Sequence, residues 1–141
     1  MNYDELTDKH QEEFNNFPIF FAFNDKQFEE GLKKFGAKEN DLYRIPGNGF
    51  ILKKDSKKLS ELLDRHGEEM QNHINNDKDG AGFIKGMFYY ELSNYEYCYS
   101  RDLNEILEVL NLTMEEVKNN KALSNGLKLA LEDYQPVMEN C

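Results

Sequence analysis

Residues 82–99, GFIKGMFYYELSNYEYCY, form the densest aromatic stretch of the chain and contain five of its eight tyrosines. Apolar side chains recur in this stretch at helical spacing and make one continuous stripe: Phe83, Ile84, Met87, Phe88, Leu92 and Tyr95. Several tyrosines lie off the stripe, so the segment is apolar on more than one side. A helix of this kind is usually central. We therefore expect the rest of the chain to pack around it, with Phe83, Phe88 and Leu92 almost fully buried.

A small sheet is predicted upstream of this helix. Residues 19–23 are apolar at every position and lie between Pro18 and Asn24, which favours a short strand buried on both faces. Residues 42–45 and 50–53 are two β-prone runs around a Pro-Gly-Asn-Gly turn, which is typical of a hairpin. The three runs together predict a three-stranded antiparallel sheet.

Helix signals occupy most of the remaining chain. Apolar spacing and capping residues predict helices over residues 3–14, 25–35, 56–75, 102–110 and 113–120, and a last helix that ends before Pro136. Asn24 and Thr113 are the expected N-caps of two of these helices, and Ser100 or Asp102 is expected to begin the helix over residues 102–110. Gly36 is an expected C-cap. The predicted fold class is α+β, with a small three-stranded antiparallel sheet near the N-terminus packed with a mostly helical remainder. Residues 1–141 are expected to form a single compact domain.

The formal net charge of −10 restricts the class of partner. Binding of phosphate groups needs a basic surface, so free DNA or RNA and anionic membranes are disfavoured. The N-terminal sequence lacks the features of a signal peptide, and no apolar run approaches the length of about 20 residues needed to span a bilayer. Two cysteines, Cys98 and Cys141, are too few for a disulfide framework. A reduced, cytoplasmic protein is therefore expected, with Cys98 as a buried thiol rather than a nucleophile.

Asp77 and Asp79 begin a segment that resembles the start of an EF-hand calcium loop. Ala81 and Phe88, however, occupy positions 5 and 12 of such a loop, where a side-chain ligand and a bidentate Glu are expected. We therefore predict a tight turn in which Asp77 or Asp79 caps the following helix. Calcium binding at physiological concentrations is not expected.

His66, Glu69 and His73 make a second candidate metal site on the long helix predicted over residues 56–75. Seven helical residues separate the two histidines by roughly 10 Å along the axis, whereas ligation of one ion brings both nitrogens within about 4 Å. The sequence therefore favours half-buried structural histidines. No metal or other cofactor is predicted.

The helices predicted over residues 102–110 and 113–120 resemble a helix-turn-helix in their spacing. The second helix begins with Met-Glu-Glu-Val, whereas a recognition helix presents basic or amide side chains to the bases. The Pro-Gly-Asn-Gly stretch joins two predicted strands, so it does not match a phosphate-binding loop. The sequence indicates neither DNA reading nor catalytic residues.

Several short stretches together carry a family resemblance. They are FPIFFAF at 17–23, QFEEG at 27–31, DRH at 64–66, GFI at 82–84, YEL at 90–92, EYC at 96–98 and LTMEEV at 112–117. These stretches resemble a small uncharacterised family associated with phages and mobile elements of gut Firmicutes, over roughly residues 1–130. The resemblance implies a genomic setting, and it brings no activity or catalytic residue with it.

Two classes of function are left open. In the first, a phage or mobile-element protein inhibits a host defence nuclease of the CRISPR or restriction type by stoichiometric binding through an acidic surface in the infected cell. The candidate partner-binding residues are Glu105, Glu108, Glu115, Glu116, Tyr89 and Tyr99. In the second, a small intracellular enzyme or metal-dependent binding protein uses His66, His73 or the turn at Asp77 and Asp79.

Overall fold

A computed structural model describes residues 1–141 as eight α-helices and three short β-strands. The helices are α1 (Tyr3–Asn15), α2 (Asp25–Phe35), α3 (Ser56–Asn76), α4 (Phe83–Asn94), α5 (Tyr97–Ser100), α6 (Leu103–Val109), α7 (Met114–Asn119) and α8 (Lys121–Glu139). The strands are β1 (Phe20–Phe21), β2 (Leu42–Ile45) and β3 (Gly49–Leu52), and they form one antiparallel sheet in the order β1-β3-β2. The predicted α+β class is confirmed. No helix is both long enough and apolar enough to cross a lipid bilayer.

The chain divides into two compact units, and each has its own packing. The sheet unit consists of residues 9–68, and the helical unit consists of residues 1–8 and 69–141. Helices α1 and α3 contribute residues to both units. The prediction of a single domain stays a prediction.

In the sheet unit, an aromatic cluster joins the sheet to α2. The ring of Phe20 contacts the rings of Phe28, Phe35 and Phe50 at centroid distances of 6.1, 5.0 and 5.3 Å. Gly31 permits this packing, because a Cβ atom there would overlap the Phe20 ring. Helix α2 is held at both ends as predicted: the Asn24 side chain accepts from the Gln27 N–H, and Gly36 adopts the left-handed conformation.

The expectation that residues 19–23 are buried on both faces is wrong. Only Phe20 and Phe21 form a regular strand, and burial alternates along the segment: Phe20 and Ala22 are buried, whereas Phe21 and Phe23 are exposed. An antiparallel sheet needs a covered face on one side only, so a continuous apolar run does not by itself show two-sided burial. Here α2 covers the face to which Phe20 belongs.

In the helical unit, α4 is the centre of the hydrophobic core and packs chiefly against α8. Phe88 and Leu92 are completely buried and Phe83 is nearly so, which confirms the predicted stripe. The turn before α4 lies close to α8: a Cβ atom on Gly126 would overlap Ile84 Cγ2 and would lie 2.8 Å from the Gly80 carbonyl oxygen. Gly80 and Gly126 therefore allow the backbone of this turn and the backbone of α8 to approach each other.

Two predicted helix boundaries differ in the structure. The aromatic segment is not one helix, because α4 ends at Asn94 and the positive φ of 50° at Glu96 separates it from α5. The last helix does not end before Pro136 but continues to Glu139. Proline removes one intrahelical N–H and crowds the preceding turn. Only three helical residues follow Pro136, and the buried Tyr134 anchors the helix just before it, so the interruption is tolerated.

The expectation of two free thiols is also wrong. Cys98 in α5 and Cys141 at the end of the chain form a disulfide, with Cα atoms 6.0 Å apart. This separation is common for disulfides. The sequence suggested isolated thiols because 43 positions separate the two cysteines, and only the return of α8 toward α5 brings them together.

The remaining predicted caps are confirmed. Asp102 accepts from the Asn104 N–H at the start of α6, and Thr113 accepts from the Glu116 N–H at the start of α7. The C-terminal third is helical throughout, as expected from these signals.

Candidate functional site

An open groove of about 1100 Å³ lies in the helical unit between the first turn of α1, one side of α4 and the C-terminal part of α8. We call it the tyrosine groove, after Tyr89 and Tyr90, which line it together with Lys85, Glu132 and Asp133. Both tyrosines are half-buried, so part of each ring faces solvent. Its volume is about twice that of a second depression, of about 570 Å³, which lies along α8.

The groove exists because α4 has a second face beside its buried stripe. Gly82, Gly86, Tyr89 and Ser93 line the groove, and their spacing places them along one side of the helix. A Cβ atom on Gly86 would meet no other atom within 4 Å, so open space lies above this residue. The sequence analysis missed the groove, because glycines and tyrosines at helical spacing are also typical of a packed helix face.

The charges of the groove are mostly negative. Lys85 Nζ lies 2.6 Å from Asp133 Oδ2, and the exposed carboxylates of Asp4 and Glu132 line the same groove. Three carboxylates thus accompany one ammonium group. Carboxylates beside half-exposed tyrosine rings suit a cationic group, which gains ion pairing and cation–π attraction together. The groove is therefore suited to bind an arginine or lysine side chain.

A buried polar pair adjoins the groove. Glu91 is only 3% exposed, and the Tyr3 hydroxyl donates to Glu91 Oε1 at 3.4 Å. Burial raises the pKa of Glu91, because the charged form loses its hydration. Burial, and then the charge of Glu91, raise the pKa of Tyr3. Tyr3 also lines the groove and packs edge-on against Tyr90 at 5.4 Å, so it connects the pair to the groove wall.

The six residues predicted to bind a partner occupy several places. Tyr89 lines the tyrosine groove, whereas Tyr99 is 74% exposed on α5. Glu108 and Glu116 line a separate depression of about 450 Å³ at the turn between α6 and α7. The other two glutamates, Glu105 and Glu115, are exposed on the same two helices.

The two histidines considered as metal ligands have structural contacts. In the sheet unit, the His66 ring stacks on His10 at a centroid distance of 3.9 Å, and His66 Nε2 lies 3.4 Å from Glu13 Oε2. Burial lowers the pKa of His66, and the hydrogen bond from Arg65 lowers the pKa of Glu13. In the helical unit, His73 stacks on Phe83 at 5.0 Å.

The Asp77 turn is a helix cap, as predicted. Asp77 Oδ2 accepts from the backbone N–H groups of Gly82 and Ile84 at 3.2 and 2.8 Å, and Asp79 Oδ1 accepts from the Ala81 N–H. The two bonds to Asp77 satisfy backbone donors at the start of α4, and the bond to Asp79 closes the turn before it. No group of three or more His, Cys, Asp or Glu side chains is arranged to hold a metal ion.

Comparison with protein families gives one match. The model of DUF7659, a family of unknown function, matches residues 2–133. The chain belongs to DUF7659. In this DUF7659 member the match covers α1 to α7 and most of α8, and it therefore contains the groove residues Asp4, Lys85, Tyr89 and Asp133. No curated protein and no solved structure matches the chain.

Proposed function

We propose that this DUF7659 member is a binding protein that uses the acidic helical unit to dock a basic, nucleic-acid-handling protein. The observation that carries the proposal is the division of charge between the two units. The sheet unit has eleven basic and eleven acidic side chains, so its net charge is zero. The helical unit has six basic and sixteen acidic side chains, and it carries the whole net charge of −10.

The tyrosine groove is the proposed centre of the contact. An acidic unit attracts a basic partner over several ångströms and so speeds association. Added salt screens the charges and weakens this attraction. Within the groove, Tyr89 and Tyr90 supply aromatic area, which commonly dominates the binding energy at protein interfaces. Glu105, Glu108, Glu115 and Glu116 extend the acidic surface along α6 and α7.

In its most specific form, the proposal takes the partner to be a host defence nuclease of the CRISPR or restriction type. The protein then belongs to a phage or mobile element of Firmicutes and acts in the cytoplasm of the infected cell. Inhibition follows if the acidic surface occupies the basic groove through which the nuclease holds nucleic acid. An acidic helical unit and a concave site for basic side chains support this form of the proposal.

The experiment measures binding to purified defence nucleases by interferometry at about 50 and 200 mM salt, together with inhibition of DNA cleavage. Three charge-reversal variants are compared: Glu132→Lys in the groove, Glu115→Lys with Glu116→Lys on α7, and Glu29→Lys with Glu30→Lys in the sheet unit as the matched control. We expect the first two variants to slow association by roughly tenfold at the lower salt. The control should bind as the wild-type protein does.

Two results contradict the proposal. If wild-type binding is unaffected by salt and by both reversals in the helical unit, the acidic surface is not the contact. If no nuclease binds and a metal ion or small molecule raises the melting temperature instead, the enzyme or metal-binding alternative replaces it.

A further inference from the structure

The tyrosine groove already contains a cationic group, which belongs to the protein itself. Lys85 is the only basic residue among those that line the groove, and its Nζ atom lies 2.6 Å from Asp133 Oδ2. Both side chains are partly exposed: Lys85 keeps 34% and Asp133 keeps 52% of its side-chain surface accessible to solvent. The ion pair therefore marks a place in the groove where a cation fits.

Open space and further negative charge adjoin this pair. Gly86 follows Lys85 in α4 and lines the groove, and a Cβ atom on Gly86 would meet no other atom within 4 Å. The exposed carboxylates of Asp4 and Glu132 line the same groove, so Lys85 compensates only part of its negative charge. A side chain of a partner can therefore approach Asp133 from solvent.

A tyrosine ring lies close to the same carboxylate. Tyr89 is one helical turn beyond Lys85 on the same side of α4. Its ring packs edge-on against Tyr134, the neighbour of Asp133 in α8, at a centroid distance of 5.7 Å. Because part of the Tyr89 ring faces solvent, a cation that binds Asp133 can also contact this ring.

The pair between Lys85 and Asp133 can open at small cost. Ion pairs between partly exposed side chains stabilise a protein only weakly, because water hydrates both groups well once they separate. The long, flexible stem of lysine allows the ammonium group to return to solvent while α4 stays in place. An incoming cation can therefore take the position of Lys85 on Asp133.

This exchange favours arginine over lysine as the incoming side chain. A lysine would replace one contact between ammonium and carboxylate by another of the same kind, so it would gain nothing from the exchange. A guanidinium group can donate two parallel N–H bonds to a carboxylate and can lie against an aromatic ring at the same time. Arginine therefore makes contacts in the groove that Lys85 does not make.

We infer that Lys85 is an internal competitor that reserves the tyrosine groove for an arginine side chain of the partner. This inference rests on the proposed function, and it names the chemical group that the groove takes from the basic partner. The arginine displaces Lys85 from Asp133, forms a bidentate pair with this carboxylate and packs on Tyr89. A partner that offers only lysine gains long-range attraction but no net contact at Asp133.

The test measures the affinity of the full-length protein for two hexapeptides by fluorescence anisotropy at about 50 mM salt, where charges are screened less than at physiological salt. The peptides alternate glycine with either arginine or lysine and carry the same neutral fluorophore. We expect the wild-type protein to bind the arginine peptide more tightly. Lys85→Gln should tighten the binding of both peptides by about 2- to 5-fold, because neither then has to break a weak ion pair.

A double-mutant cycle shows whether Lys85 acts through Asp133. Asp133→Asn should weaken binding of the arginine peptide and reduce the preference for it, because the bidentate pair is lost. In this background Lys85 has no carboxylate at position 133 to occupy, so adding Lys85→Gln should have only the effect of its change in charge. The matched control for that charge is Lys118→Gln, an exposed lysine of α7 outside the groove.

Several results would overturn the inference. They are equal affinity of the wild-type protein for the two peptides, no binding of either peptide, or an effect of Lys85→Gln that is no greater than that of Lys118→Gln. Weaker binding by Lys85→Gln would also overturn it, since a purely structural tie between α4 and α8 predicts loss rather than gain. Circular dichroism melts check the fold of each variant, and Lys85→Met replaces Lys85→Gln if the latter unfolds.

These outcomes are distinguishable from failure of the proposed function. Salt-dependent binding of a nuclease without a preference between the peptides overturns the role of Lys85 and keeps the proposed function. Arginine-selective peptide binding without a nuclease partner keeps the role of Lys85 and overturns the choice of partner.

Discussion

Glu91 is the only charged residue that is buried in this protein, and it lies in the last turn of α4. A carboxylate in such surroundings loses hydration that one hydrogen bond from Tyr3 replaces only in part. The protonated form is therefore favoured in the folded protein, and the pKa of Glu91 is raised above its ordinary value of 4.5. This residue makes stability depend on pH.

The sign of that dependence follows from proton binding. The folded protein holds the Glu91 proton more tightly than the unfolded chain does. The stabilisation that this proton gives to the folded state is therefore fully present below about pH 4.5, and it is lost as pH rises through the raised pKa. We predict that Glu91→Gln, which cannot ionise, gains melting temperature relative to the wild-type protein as pH rises from 5 to 8. Thermal melts at intervals of half a pH unit measure this difference. The exposed Glu105→Gln is the control, and parallel curves for Glu91→Gln and wild type would show that the site does not titrate.

At the scale of elements, α4 has two different apolar sides. One side carries the stripe that the core buries, and its 3.6-residue period could be read from the sequence. The other side contains Gly82, Gly86 and Tyr89 and lines the tyrosine groove. Periodicity alone does not distinguish these two sides, because a tyrosine beside a glycine fits a packed face and a groove equally well.

The glycines of α4 and α8 give a matched pair of substitutions. A methyl group on Gly126 would collide with Ile84 and approach the Gly80 carbonyl, whereas a methyl group on Gly86 would enter open space. We predict that Gly126→Ala lowers the free energy of unfolding by about 1–3 kcal/mol through overpacking. Gly86→Ala should raise it by about 0.5–1 kcal/mol, since alanine is the better helix former. Urea denaturation measures both values, and a stabilising Gly126→Ala would contradict the close approach.

At the scale of the whole molecule, the net negative charge and the disulfide both belong to the helical unit. The helical unit carries the net charge of −10, and it also contains the Cys98–Cys141 disulfide. Disulfides persist in oxidising compartments and are rare in a reducing cytoplasm. Cytoplasmic action, as proposed, therefore requires that the reduced protein still folds and binds.

This requirement leads to a prediction about the disulfide. Closing a loop across 43 positions stabilises a protein by about 2–4 kcal/mol, mainly because the unfolded chain loses freedom. We expect Cys141→Ser to lower the free energy of unfolding by this amount, and dithiothreitol to bring the wild-type protein to the same value. Dithiothreitol should not change the variant. Urea titrations with and without the reductant measure these differences, and identical wild-type curves would show that the bond contributes nothing.

The sequence by itself determined the local features of the fold. The stripe of α4, the caps at Asn24, Asp102 and Thr113 and the hairpin of β2 and β3 all follow from interactions between residues a few positions apart. The capping role of the Asp77 turn could be deduced because the calcium-loop pattern lacked two ligands. The α+β class followed once these elements were counted.

Only the tertiary structure decided which residues meet across the chain. Cys98 and Cys141 are paired because α8 returns to α5, and α8 passes through Pro136 because Tyr134 is already anchored in the core. The tyrosine groove combines Asp4, Tyr89 and Asp133 from three helices, and no local pattern links them. The division of charge into a neutral and an acidic unit likewise depends on α1 and α3 each contributing to both units. Local preferences act over one or two turns of chain, whereas these features depend on contacts between residues tens of positions apart.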